Sequence, residues 1–155
     1  MSIKRRTFIK GSAATGALAL AVSAGLLVPK SVLAAWPENA FKQKELNDAI
    51  DALFGTSKTE DGKIEISAPE IAENGAVVPI SVTTKIPNVQ SIGVFVSKNP
   101  QPLTCSYDFQ GTLDGFVSTR IKMGETSDII AVVKAESGLF STKKTVKVTI
   151  GGCGG

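Results

Sequence analysis

The hydrophobic pattern of the first domain segment is helical. Apolar residues within residues 42–54 recur at spacings of three and four positions, namely Leu46, Ala49, Ile50, Leu53 and Phe54. This is the spacing of an amphipathic helix, and the glycine that follows at position 55 is a typical stop signal. The pattern predicts one short helix over residues 42–54.

Beyond residue 55 the apolar residues occur in short β-branched runs separated by turn residues. Such runs predict strands, and seven are present, over residues 63–68, 77–86, 91–97, 103–109, 116–123, 129–136 and 139–150. Residues 99–102 predict a loop and residues 137–138 a tight turn. Seven strands at this spacing predict an all-β domain built as an antiparallel sandwich.

Alternation and proline position make two of these strands more specific. Leu103, Cys105, Tyr107 and Phe109 alternate with polar residues, which predicts that they share one buried face and that the cysteine is a small core residue. Pro79 lies inside an apolar run, which predicts that its strand lies at a sheet edge or contains a bulge.

The first 34 residues have the composition of an export signal. Arg5 and Arg6 are adjacent in a basic start, residues 13–28 are small and apolar, and Val32, Leu33 and Ala34 supply small residues for cleavage. The apolar run of about 16 residues is shorter than the ~20 that span a membrane, so a cleaved signal is favoured over an anchor. We predict a twin-arginine signal peptide over residues 1–34, periplasmic localisation, and no membrane insertion after cleavage.

Cleavage would change the charge of the protein. Of the 17 basic residues, five lie in the signal, which leaves 12 against 14 acidic residues; the five are Lys4, Arg5, Arg6, Lys10 and Lys30. The basic balance of the full chain therefore belongs to the signal. Beyond Lys143, Lys144 and Lys147 on one predicted strand, no basic cluster remains, so nothing indicates binding to nucleic acid.

The residue types of catalytic and cofactor sites are scarce. The chain has no histidine, which excludes Ser-His-Asp and Cys-His arrangements. It has no Cys-x-x-Cys pair and no phosphate-binding loop, so we predict no cofactor, no metal site and no catalytic residue. Because the twin-arginine route carries folded proteins, a partner bound before export is the hypothesis that remains.

The last five residues place Cys153 between two glycine pairs, Gly151, Gly152, Gly154 and Gly155. Glycine loses more backbone entropy on ordering than other residues, so residues 151–155 are predicted to be a flexible arm after a sandwich domain over residues 35–150. The three residues from Ile150 to the cysteine span up to about 10 Å. The pattern indicates a thiol that is presented to other proteins.

Two readings of the cysteines are open. A disulfide between Cys105 and Cys153 would be ordinary for an exported protein, but it would hold the arm against the body. The other reading, which we favour, is that Cys153 is free, carries an adduct or is bridged to another chain. A thiol of pKa about 8.5 is only a few per cent thiolate at neutral pH. The nearest basic residue, Lys147, is six positions away, so activation of the arm cysteine would have to come from a receiving protein.

The chain resembles the SoxY family of periplasmic thiosulfate oxidation. The resemblance rests on the twin-arginine signal, the terminal Gly-Gly-Cys-Gly-Gly, and residues 36–41 (WPENAF), 72–79 (AENGAVVP), 99–103 (NPQPL), 118–122 (STRIK), 126–133 (TSDIIAVV) and 147–150 (KVTI). Cys105 departs from the family pattern, in which we expect a small apolar residue.

The resemblance implies an immunoglobulin-like sandwich that forms a heterodimer with SoxZ. It also implies that SoxAX couples thiosulfate to Cys153, that SoxB releases sulfate, and that SoxCD oxidises the remaining persulfide where that enzyme is present. The protein would then be a carrier and not an enzyme. Linkage of two heterodimers through Cys153 is a further implication.

Two other functions compete with this interpretation. Ubiquitin-like sulfur carriers also end in Gly-Gly, but the cytoplasmic activation of their carboxylate conflicts with the export signal. An exported interaction module whose tail cysteine forms intermolecular disulfides is the main alternative. Trp36 and Phe41 are expected to pack against the sandwich, with the partner interface as the alternative. Arg120 is more typical of a solvated face or an interface ion pair than of an anion site.

Overall fold

The computed structural model describes residues 36–109 and 115–149. Within these residues, two helices come first, α1 (Glu38–Lys42) and α2 (Leu46–Phe54). The described residues then form nine strands: β1 (Glu60–Asp61), β2 (Ile64–Ser67), β3 (Ile71–Ala72), β4 (Val78–Thr84), β5 (Val89–Val96), β6 (Leu103–Asp108), β7 (Phe116–Ile121), β8 (Ser127–Ala135) and β9 (Gly138–Val148). Each of the seven predicted strands overlaps one of the strands of four or more residues, although β5, β8 and β9 begin one or two residues before the predicted start.

The strands form two sheets. The larger sheet has the order β1-β9-β8-β5-β6, with β3 also paired to β9, and the smaller sheet has the order β2-β4-β7. The long neighbours are antiparallel, whereas the two-residue strands β1 and β3 pair in parallel with β9. The predicted all-β antiparallel class is confirmed, and its immunoglobulin-like subdivision stays a prediction.

The core lies between the two sheets. It is formed by aliphatic side chains that point inward from both, because alternate residues of a strand face the same side. From the small sheet come Ile64, Ile66, Val78, Ile80, Val82, Val117 and Ile121, and from the large sheet come Ile92, Val94, Val96, Ile129, Ala131, Val133 and Val146. A sandwich of this kind is stabilised mainly by the apolar area that the facing strands remove from water.

A second apolar cluster lies where the helices cover the outer face of the large sheet. Its buried members are Ala40, Ala49, Ile50, Phe95, Leu103 and Val132. The predicted helix ends as expected, because Gly55 adopts φ 82° and its amide donates to the Asp51 carbonyl at 2.7 Å. It starts later than predicted, at Leu46.

The late start of the helix has a local cause. Gln43 and Glu45 have extended backbones, and the apolar periodicity itself begins only at Leu46. Residues 43–45 are all polar and have no apolar face to bury, so packing does not support helix there. The predicted helix over residues 42–54 is therefore shortened to α2, and a separate short helix, α1, precedes it.

Strand β6 departs from strict alternation. The register with β5 pairs Val94 with Cys105 but Phe95 with Leu103, so Thr104 is an extra residue in a β-bulge. The extra residue in a bulge reverses the alternation, so that residues on either side of it point to opposite faces of the sheet from those that strict alternation would give. Leu103 consequently packs in the helix cluster while Cys105 packs against the core between the sheets, and the prediction that they share a face is wrong.

Strand β4 is the central strand of its sheet, not an edge strand. Its ladder with β2 ends at the pair Ser67 and Ser81, two residues short of Pro79, which pairs only with Arg120 of β7. A proline has no N–H to donate, and here one side of the strand has no neighbour at that position. The edge prediction is wrong for the strand, although the local environment of the proline is that of an edge.

The predicted loop and the predicted tight turn both fall at connections between strands, the turn one residue earlier than predicted. Ala135 pairs with Gly138 across a two-residue connection, residues 136–137, and Gly138 has φ 148°, a backbone region that side-chain-bearing residues rarely adopt. Residues 97–102 connect β5 to β6. Among the described residues, no helix is long and apolar enough to cross a bilayer.

Candidate functional site

The predicted attachment residue, Cys153, and the predicted arm residues Gly151, Gly152, Gly154 and Gly155 lie outside the described residues. The structure describes the chain that leads to them as far as Thr149. We call residues 147–149 the arm root, and the geometry of the candidate site is the geometry of this segment.

One side of the arm root is fastened to β3. Ile71 pairs with Lys147, and Ala72 pairs with Val148. The amide of Lys147 donates to the Glu70 carbonyl at 3.0 Å, and the amide of Thr149 donates to the Ala72 carbonyl at 3.1 Å. The two-residue strand β3 therefore satisfies alternate amides at the end of β9.

The other side of the arm root is fastened by a side chain. The amide of Val148 donates to Thr126 Oγ1 at 3.0 Å, and that hydroxyl donates to the Val148 carbonyl at 3.4 Å. Successive amides of a strand point to opposite sides, so the three root residues are bonded alternately to β3 and to Thr126. This arrangement fixes the direction in which the chain leaves the sandwich.

The turn before β4 packs directly against the arm root. A Cβ placed on Gly75 would collide with the Met123 carbonyl oxygen and lie 2.8 Å from Val148 Cγ1. The Met123 amide donates to the Gly75 carbonyl at 2.7 Å, and Asn74 Oδ1 accepts from the Ala76 amide at 2.9 Å. Only glycine allows this close approach, so the turn is held beside Val148.

Two large apolar side chains are exposed on the segment that holds the root. Ile71 is 56% exposed and Val77 is 50% exposed, although Ala72 and Val78 beside them are buried. Single exposed apolar residues are ordinary on a protein surface; what distinguishes these two is that both lie on the segment that contacts the arm root.

The second cysteine, Cys105, is half-buried on the inner face of β6 and forms no disulfide within residues 36–109 and 115–149. Burial raises the pKa of its thiol, and hydrogen bonds from Thr104 and Tyr107 oppose that shift. Thr104 Oγ1 lies 3.9 Å from the sulfur. A thiol whose pKa is raised is a weaker nucleophile at neutral pH, which fits the predicted role of a small core residue.

The remaining residues singled out in the sequence are not brought together. Arg120 is exposed on β7 and forms no ion pair within residues 36–109 and 115–149. Trp36 stacks on Phe41 with ring centroids 4.5 Å apart. Phe41 packs on the helix cluster as expected, whereas Trp36 is 68% exposed.

The outer face of the small sheet has a shallow depression of about 270 Å³ near Pro79. Its lining has no titratable side chain, and consists of Ser67, Ala68, Pro69, Pro79, Ile80, Ser81 and Ser118. In the part of the chain that the structure describes, no three acidic or cysteine side chains cluster as metal ligands would.

Sequence reasoning assigned no role to Gly75, Thr126 or Ala72, although all three lie in segments that carry the family resemblance. Their role is visible only in three dimensions, because Ala72 and Thr149 are 77 residues apart in sequence. The nearest sequence signal is a glycine between Asn74 and Ala76, which by itself predicts only a turn.

Comparison with known proteins gives two family matches. Residues 50–153 match the model of the sulfur oxidation protein SoxY, and residues 2–22 match the signal sequence of the twin-arginine translocation pathway. The predicted export by that route to the periplasm is thereby confirmed. A comparison with curated proteins finds no match.

Solved structures agree with the family match. The sulfur carrier protein SoxY from Chlorobium limicola f thiosulfatophilum is 41% identical, with a TM-score of 0.63 over 68% of this chain and 97% of that one. A superoxide reductase (neelaredoxin) from Ignicoccus hospitalis is 16% identical, with a TM-score of 0.51 over 56% of this chain and 80% of that one, a likeness of fold alone. The family match covers most of the chain, and the chain belongs to the SoxY family.

Proposed function

We propose that this protein carries the sulfur intermediates of thiosulfate oxidation covalently on the thiol of Cys153. Membership of the SoxY family supports a carrier role in sulfur oxidation. The observation that carries the proposal is that the family match extends to residue 153, the cysteine between two glycine pairs, four residues after the fastened Thr149.

Loading joins the carrier to thiosulfate by a sulfur–sulfur bond. The Cys153 thiol loses its proton, its sulfur bonds to the outer sulfur of thiosulfate, and two electrons leave. The product is a cysteine S-thiosulfonate, Cys-S-S-SO₃⁻. The electrons require an acceptor, and we assign that role to the cytochrome SoxAX.

Unloading of the first sulfur is a hydrolysis. Water attacks the terminal sulfonate sulfur, the bond between the two outer sulfur atoms breaks, and sulfate leaves with release of one proton. A cysteine persulfide, Cys-S-SH, remains on the carrier. We assign this step to SoxB and any further oxidation of the persulfide to SoxCD.

The chemistry of the chain fits a carrier better than a catalyst. A free cysteine has a pKa of about 8.5, and nucleophilic catalysis at neutral pH needs a neighbouring base or cation to activate the thiol. The chain has no histidine. Activation is therefore the task of the enzyme that receives the arm, and the carrier supplies attachment and delivery.

A heterodimer with SoxZ completes the proposal. The twin-arginine signal exports proteins that are already folded, and a subunit bound in the cytoplasm explains why this route is used. The domain division into a signal over residues 1–34, a sandwich over residues 35–150 and an arm over residues 151–155 is part of the same proposal.

The test compares the two cysteines. Protein purified from thiosulfate-grown cells is analysed by intact mass and peptide mapping, for the wild type, Cys153→Ser and Cys105→Ala. Thiosulfonate and persulfide adducts are expected on the peptide of Cys153 in the wild type and in Cys105→Ala. The Cys153→Ser variant should lose all adducts and all thiosulfate-dependent turnover while it keeps its fold and its partner.

Two results would contradict the proposal. Adducts on Cys105 instead of Cys153 would move the attachment site. Covalent dimers through Cys153 in the wild type, together with undiminished thiosulfate oxidation in Cys153→Ser, would favour the interaction-module alternative.

A further inference from the structure

We propose that Ile71 and Val77 form a docking rim that contacts the mouth of the enzyme cleft into which Cys153 is delivered. This inference rests on the proposed function, because it concerns the proteins that receive the cargo. With this rim, an enzyme would recognise a surface of the sandwich as well as the arm itself.

The first step is the length of chain between the body and the thiol. Thr149 is fixed by its hydrogen bond to Ala72, and Cys153 is four residues further along. Covalent geometry limits that distance to about 14 Å between Cα atoms. An enzyme whose active site lies inside a cleft must therefore bring the rim of the cleft against the surface around Thr149.

The second step is the character of that surface. Ile71 and Val77 are among the four most exposed large apolar residues that the structure describes, with Trp36 and Phe116. Ile71 directly precedes Ala72, whose carbonyl holds Thr149, and Val77 ends the turn that Gly75 packs against Val148. Both exposed apolar side chains are thus attached to the segment that fixes the arm root.

The third step is rigidity. The turn carries hydrogen bonds from Ala76 to Asn74, from Val77 to Asn74 and from Met123 to Gly75. A preordered apolar surface loses little conformational entropy when a partner covers it, so its burial contributes directly to affinity. The occupant we infer is the apolar lip of an enzyme cleft that admits a slender peptide.

The test uses the complete heterodimer loaded with tetrathionate as the chemical probe. The Cys153 thiolate displaces thiosulfate from tetrathionate and gives the S-thiosulfonate without the cytochrome. Sulfate release by the hydrolase SoxB is then measured against carrier concentration for the wild type, Val77→Thr and the double variant I71T/V77T. Threonine keeps the β-branched shape and removes apolar surface, so folding is preserved.

Phe116 supplies the matched control. It is 54% exposed and pairs with Thr83, whereas Val78 at the other end of β4 adjoins the rim. Five residues of strand place these positions about 17 Å apart. The variant Phe116→Thr removes comparable apolar surface at a distance from the arm root.

The expected result for I71T/V77T is a rise in KM of roughly tenfold, the scale of one or two interface anchors, with kcat unchanged. Val77→Thr should show part of the effect, and Phe116→Thr should leave KM as in the wild type. Thiol titration and heterodimer mass should be the same in all variants.

Three results would overturn the docking rim. An unchanged KM in I71T/V77T would show that the arm alone is recognised. Dissociation of the heterodimer would assign the surface to SoxZ. An equal rise in KM for Phe116→Thr would show that KM responds to any loss of exposed apolar surface and not to the rim in particular. Failure of the proposed function is separate, because it would appear beforehand as absence of cargo on Cys153 in the wild type.

Discussion

The amide of Thr149 donates a hydrogen bond to the carbonyl of Ala72 across 3.1 Å. This bond joins the last described residue of the chain to a two-residue strand that contributes little else to the large sheet. Ala72 is itself buried, at 6% exposure. The hydrogen bond fixes the position of the end of β9, the point from which the following residues extend.

The Thr126 hydroxyl should matter for the end of β9. In Thr126→Val the Val148 amide loses its acceptor, and we expect a loss of about 0.5 to 1 kcal/mol in the free energy of unfolding, the size of one exposed hydrogen bond. Urea unfolding measures the loss, and hydrogen exchange should show faster exchange at Val148.

Thr83→Val is the control, since Thr83 is exposed on β4 and its side chain makes no hydrogen bond within the described residues. Equal destabilisation by both variants would contradict a specific role for Thr126.

Gly75 should not tolerate a side chain. Gly75→Ala would place Cβ against the Met123 carbonyl and Val148 Cγ1, and overpacking of this kind costs about 1 to 3 kcal/mol. Thermal and urea unfolding measure the loss.

Gly124→Ala tests the same substitution in open space, where the nearest atom to the new Cβ is Asn99 Oδ1 at 3.9 Å. That variant should be near neutral. A neutral Gly75→Ala would mean that the turn can move away from the arm root.

The bulge at Thr104 predicts different effects for two neighbouring residues. Leu103 packs with the helices while Cys105 packs between the sheets, so Leu103→Ala should destabilise by about 2 to 5 kcal/mol and accelerate hydrogen exchange in α2. Cys105→Ala should leave exchange in α2 unchanged. Faster exchange in α2 for both variants would indicate that the two side chains share one environment.

The Cys105 thiol should make stability fall at alkaline pH. Its folded pKa is raised, chiefly by burial, so the folded state holds the thiol proton more tightly than the unfolded state does. The stabilisation is complete below the unfolded pKa of about 8.5 and is lost as pH rises through the folded pKa.

Urea unfolding between pH 7 and 10 in the Cys153→Ser background, with and without Cys105→Ala, isolates this contribution. The fall should be smaller when Cys105 is replaced. Alkylation of the wild type at pH 8 should modify Cys153 before Cys105, and the reverse order would contradict the burial of Cys105.

Much of the fold could be predicted because each long strand has a recognisable pattern within its own sequence. β-branched alternation located the seven long strands, and Gly55 and Gly138 marked a helix end and a turn through backbones that favour glycine. The bulge at Thr104 could not be predicted, because it depends on how β6 matches β5 and not on the sequence of β6 alone. Strands β1 and β3 are too short to show any periodicity.

One part of the candidate site could likewise be predicted from the sequence, and another part could not. Cys153 is prominent in the sequence because its neighbours are all glycine, so local composition was enough to select it. The arm root depends on contacts between Thr149 and Ala72 and between Val148 and Thr126, which are distant in sequence. A local sequence pattern cannot predict contacts between residues that are so far apart in the chain.

If Cys153 carries the cargo as proposed, the fixed position of Thr149 has a consequence for the order of the reactions. Any protein that binds Cys153 would then occupy the same small volume above the end of β9, so two receiving enzymes would exclude each other sterically. One enzyme would have to dissociate completely before the next binds, and the abundance of each enzyme would govern how long an intermediate waits on the carrier.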